Sequence, residues 1–177
     1  MGSFSDTLEN GVLDHLFENT ALSITGPIKV ALWVGDPTDT GAGGTEAAYT
    51  NYQRETITFD AASSRLINQT SQVDFQTSGA TGETGITHYA IFDSSGTPKF
   101  LAHGSLSGSV DVVEGNTPSI AAGQIDISIS AGAMTNYLAN AVLDFVFRAQ
   151  ALAQPTTYLA LTTSTLADTE TTLTGKE

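Results

Sequence analysis

The sequence predicts a mainly β protein: an antiparallel β-sandwich, jelly-roll-like in strand number, with a short N-terminal α-helix and the start of a second copy of the same domain behind it. Three observations predict this. From Pro27 onward, short apolar runs alternate with clusters of Gly, Asn, Asp, Ser and Pro, the texture of many strands joined by tight turns. An apolar stripe at helical spacing precedes them. Finally, residues 8–17 return as residues 138–147, a shift of 130 positions with six of ten residues identical. A repeat of that period makes residues 1–130 one β-sandwich domain, and residues 131–177 the helix and first strand of an incomplete second one.

The helix is expected over residues 5–18. Leu8, Val12, Leu13, Leu16 and Phe17 share one face, and Asp6 with Glu9 three residues later resembles a capping box. The second copy keeps all five apolar positions as Leu138, Val142, Leu143, Val146 and Phe147, so the stripe is a packing or docking face that both copies need. Strands follow at residues 28–34, 55–59, 65–68, 72–75, 86–92, 99–105, 110–113 and 124–130, with a turn at residues 93–96. In the last strand Ile125, Ile127 and Ile129 alternate with Asp126 and Ser128, as on a half-buried sheet. The linker between copies is expected at residues 130–134. A 47-residue piece with no Cys to staple it is too small to fold alone, so either the polypeptide continues past Glu177, the favoured reading, or this segment packs on a neighbouring chain.

Nineteen Asp and Glu against six Lys and Arg give a formal charge of −13, which excludes a basic surface for nucleic acid and disfavours anionic membranes. No apolar run reaches the length of a membrane span, and residues 1–6 lack the basic start of a signal peptide, so synthesis in a cytoplasm is expected. The acidity fits either a highly soluble surface or a salty environment.

Candidate chemistry is sparse. His15, His88 and His103 have no metal-motif spacing, although His88 and His103 approach each other if residues 93–98 close a hairpin. Asp36, Asp39 and Glu46 put three carboxylates on one Gly-rich loop, the oxygen-rich chemistry of a calcium site but not the spacing of an EF-hand. No nucleophile elbow, zinc-protease motif or Cys nucleophile is present, so no catalytic residue, cofactor or enzymatic activity is assigned. Trp33, Tyr49 and Tyr52 are candidates for stacking on sugars, with Trp33 read as core.

Several blocks in fixed order carry a resemblance. They are Leu8, Asn10, Leu13 and Asp14 in the helix; Val30 to Trp33 with Asp36 to Thr38; Tyr52-Gln53-Arg54 before Ile57-Thr58-Phe59; Gly85 to Asp93; and Ala121 to Ile127. Together they resemble a family of tailed-bacteriophage virion proteins described as tail-fibre-like, minor tail or head-decoration proteins. The resemblance implies a structural role in the virion, anchored on the capsid or tail and projecting outward, with other virion proteins as partners. By analogy with spikes and decorations it implies a homo-oligomer, with a trimer as one form. A carbohydrate-binding module that recognises a host-surface glycan is the alternative.

Overall fold

The computed structural model describes residues 2–130, 134–153 and 161–163. The mainly β, antiparallel class is what it has. Its elements are β1 (Ser3–Phe4), α1 (Asp6–Phe17), β2 (Lys29–Val34), β3 (Thr45–Glu46), β4 (Glu55–Thr56), β5 (Leu66–Asn68), β6 (Val73–Asp74), β7 (Glu83–Phe92), β8 (Phe100–Val112), β9 (Ser119–Ile120), β10 (Asp126–Ser128) and α2 (Asn136–Arg148). One sheet runs β1-β8-β7-β2-β3, with β4 also pairing β2, and two ribbons, β10-β5 and β6-β9, stand apart from it. Val30, Leu32, Tyr89, Ile91 and Leu101 of the large sheet share one core with Ile67, Val73, Ile120 and Ile127 of the ribbons and with both helices. The layer facing the sheet is therefore made of short ribbons and helices. Gln69 stitches the ribbons: its amide donates to the Ser71 and Ile120 carbonyls and accepts from the Ile125 N–H.

The helix begins where the stripe predicts, with one correction. The cap is Ser5, not Asp6: its Oγ accepts from the Leu8 N–H at 3.2 Å and donates to the Phe100 carbonyl at 2.6 Å. The same hydroxyl thus starts α1 and ties it to β8, and the capping box with Glu9 does not form because the N3 position is Leu8. In α2, Thr135 accepts from Leu138 in the same way, 130 residues on. The two similar segments therefore begin with the same kind of cap.

Two predicted strands, 99–105 and 110–113, are one 13-residue strand, β8. Within it, Gly104 lies opposite Tyr89 in the β7–β8 ladder, where the phenol ring fills the space a side chain would take. A Cβ built there would sit 2.4 Å from the Tyr89 hydroxyl. Gly104→Ala is expected to cost about 1–3 kcal/mol, measured by denaturant unfolding, because Tyr89 is buried and cannot swing away. The Tyr89 hydroxyl is itself buried with no hydrogen-bond partner among the described residues, and burial followed by the nearby Asp126 charge pushes its pKa up. Tyr89→Phe removes an unsatisfied polar atom and little else, and is expected to leave stability equal or higher.

The β7–β8 connection is the turn expected at residues 93–96, and it is organised by one carboxylate. Asp93 has no exposed side-chain surface, yet it accepts from the Lys99 N–H at 2.7 Å, the Ser95 hydroxyl at 2.7 Å, and the Ser95 and Thr25 N–H groups at 3.3 Å. The Lys99 ammonium lies 3.5 Å away. Burial alone would raise its pKa. The donors outweigh that and hold it below the ordinary value.

Candidate functional site

The ten stripe residues fall into two environments. In α2, Val142, Leu143, Val146 and Phe147 are all buried and Leu138 is half-buried. Phe147 sits between Phe4 and Phe59, with ring centroids 6.0 and 5.2 Å away. The polar side of α2 latches the turn before β5: Asn140 Oδ1 accepts from the Arg65 N–H at 2.8 Å, and Asp144 Oδ1 accepts from the Ala62 N–H at 2.9 Å. The buried Arg65 guanidinium then donates to Asn136 Oδ1 and to the Ser130 and Met134 carbonyls, so both ends of the predicted linker are pinned. In α1 the stripe is split. Leu8, Val12 and Leu16 are buried, but Leu13 is 47% and Phe17 63% exposed.

His15 joins the two helices. It is buried, its ring stacks on Phe145 at 5.4 Å, its Nδ1 accepts from the Leu22 N–H at 3.3 Å, and its Nε2 lies 3.0 Å from the Leu152 carbonyl. Those partners select the neutral tautomer with the proton on Nε2. Phe145 is the counterpart of His15 in the repeat, and Leu152 the counterpart of Leu22.

The three carboxylates of the calcium candidate do not converge. Asp39 and Asp36 flank His103, with Oδ1 atoms 2.9 Å from Nε2 and 3.5 Å from Nδ1. Glu46 is taken by Arg54 in a two-pronged pair at 2.8 and 2.7 Å and also accepts from the Tyr52 hydroxyl at 3.1 Å. The Arg54 guanidinium lies 3.6 Å over the Phe92 ring, a cation–π contact, and the bond to Glu46 raises its pKa further. Among the described residues no group of three His, Asp or Glu is placed to hold a metal ion.

His88 and His103 do lie on adjacent strands: His88 pairs with Ser105, and His103 with Ala90. His88 Nδ1 contacts the Thr87 hydroxyl at 2.9 Å. Ser3 Oγ is 3.3 Å from His103 Nε2, so a serine, a histidine and an aspartate meet. Asp39 and Ser3 share Nε2, and Asp36 lies at the other ring nitrogen, so the imidazole is a junction between β1, β8 and the β2–β3 loop. The cluster pins the β2–β3 loop, which the Asp39 carbonyl also ties to α1 by accepting from the Asp6 N–H at 3.0 Å.

The aromatic candidates for sugar stacking are engaged in packing. Tyr49 is buried and meets Tyr52 edge-on at 5.2 Å, and Tyr52 stacks on Phe75 and accepts from the Leu32 N–H. Burial, then the nearby Glu55 charge, pushes Tyr49 up to about 12. Trp33 is half-buried on the opposite face of the sheet, beside Phe92, and donates to the Gly43 carbonyl at 2.9 Å. Sequence reasoning did not find Arg65, Gln69 or Asp93. Asp93 and Gln69 stand between or beside turn residues, and an Arg between two Ser and an apolar run gave the only hint for Arg65.

What the geometry defines is a structural β-protein, whose polar clusters hold loops, a hairpin and a helix in place. The chain belongs to the family described as podophage GP4 fiber I protein gp80, whose model matches residues 3–128 and 133–177. It is therefore a member of a tailed-phage fibre structural family, with the virion as its location and other virion proteins as its associates. No curated protein matches the chain.

Proposed function

We propose that this protein is a modular projection of the phage particle, anchored on the capsid or tail and extended outward by copies of its β-domain. Residues 1–130 are the first module, residues 131–177 begin the second, and copies of the chain associate on the particle. The observation that carries this is the fate of α2. The helix that opens the second copy is buried in the core of the first, so a following module is held by packed side chains and not by a loose tether. The two matched stretches of the family, which start 130 residues apart, support the same reading.

The test is the copy number and position of the chain on purified particles, by quantitative mass spectrometry and labelled electron microscopy. A small symmetric set at the tail with outward density supports the projection. Its absence from particles, or a flat lattice of hundreds of copies without projecting density, overturns it.

A further inference from the structure

The outer face of α1 is an apolar patch whose equivalent in α2 is covered. Leu13 and Phe17 correspond to Leu143 and Phe147, which are 0% and 3% exposed in their seat against the β-domain, whereas Leu13 and Phe17 are 47% and 63% exposed. Beside Leu13 runs a groove of about 360 Å³, lined by Phe4, Val12, Ile129 and Met134 among others. The stripe in α2 shows what this surface does when a partner is present: it accepts an apolar wall.

A second copy of this chain is not that wall. Glu9 stands where α2 has Ala139, which is wholly buried in its seat, and Asp6 stands where α2 has Asn136. Entering the same seat would bury the Glu9 carboxylate, which is strongly unfavourable unless a cation meets it. This protein has few cations to offer. Of its six Lys and Arg, Arg54, Lys99 and Arg148 are paired with Glu46, Asp93 and Asp144, Arg65 is buried, Lys29 donates to the Thr56 hydroxyl, Lys176 lies outside the described residues, and the net charge is −13. Asp6, Glu9 and Asp14 lie within about two turns of Leu13, so the patch has an acidic rim.

We propose that this face of α1 docks the protein onto a different virion protein that presents an apolar cleft rimmed by Lys or Arg, with Phe17 and Leu13 as the anchors. The inference rests on the virion reading above. The rim sets orientation and speeds encounter, and the anchors supply the affinity.

The test uses purified full-length chain added back to phage particles produced without it, with bound copies per particle as the readout. Wild-type chain is expected to bind. Phe17→Asp and Leu13→Asp are each expected to weaken binding about tenfold or more. Glu9→Lys is expected to weaken it less, and wild-type binding to fall as salt rises. Phe17→Gln separates loss of the anchor from added charge, and circular dichroism of every variant confirms the fold.

Variants that are folded yet bind like wild type overturn the docking face and leave the virion reading standing. Wild-type chain that binds no particle overturns both. Self-association of the wild type that Phe17→Asp abolishes overturns the choice of partner, since it would make a second copy the occupant.

Discussion

Replacing Phe147 by alanine is expected to destabilise the whole described domain by about 3–5 kcal/mol, while the same change at its repeat counterpart Phe17 is expected to shift stability by no more than about 0.5 kcal/mol. The contrast follows from position alone. Phe147 is wedged between Phe4 of the N-terminal strand and Phe59 of the β-domain, so its removal opens a cavity among side chains fixed by the sheet, α1 and the ribbons. Phe17 projects into solvent. Guanidinium unfolding, followed by far-ultraviolet circular dichroism and by Trp33 fluorescence, measures both. If Phe147→Ala melts α2 while the Trp33 signal stays at its wild-type midpoint, α2 is an appendage and not part of the core.

The second large effect is expected at Asp93. Asp93→Asn keeps the shape but turns an acceptor into an amino group facing donors, and loses the charge that makes these hydrogen bonds strong. A cost of about 3 kcal/mol is expected. The pH dependence has a definite sign. The folded-state pKa of Asp93 is lowered, so the unfolded chain takes up the proton first as acid is added. The Asp93 contribution is thus fully present above the ordinary carboxylate value near 3.8 and is lost as pH falls from there through the lower folded value. Unfolding curves of wild type and Asp93→Asn at a series of pH values should draw together over that interval. Curves that stay parallel down to the lowest pH would remove Asp93 as the acid-labile fastening of the hairpin.

The regular parts of the fold were legible because their periodicities are. The 3.6-residue stripe marked α1 and α2, and the apolar runs marked β2, β5, β7 and β10 to within a few residues. What was not legible depends on partners distant in the chain. The two-residue strands β1, β3 and β9 carry no pattern of their own and exist only because β8, β2 and β6 offer them a free edge. The stretch at residues 106–109 read as a break between two strands, whereas β8 runs on through it and only its ladder to β7 shifts register there, with His88 opposite Ser105 and Ile86 opposite Val110. Asp36, Asp39 and Glu46 looked like one site because they share a loop. His103, 64 residues from Asp39, and Arg54 divide them. The stripe named both helix faces, but nothing local in it separates Phe147, which has a wall against it, from Phe17.

The place where the chain enters the β-domain also bears on how a fibre carries force. The Gly2 N–H donates to the Asp126 carbonyl at 2.7 Å and Gly2 pairs with Ile127 as a parallel bridge, so residue 2 and the start of the exit toward α2 are neighbours. Tension arriving at residue 2 and leaving after residue 130 crosses a short path through β1, β10 and the Arg65 clamp, and bypasses the long β7–β8 ladder. The sheet then hangs beside the line of pull. In a single-molecule stretching experiment with handles at residues 2 and 130, the first event is expected to be the parting of Gly2 from β10, before any lengthening from the sheet. The β-domain would thus yield first at a short clasp that can close again when the load is released.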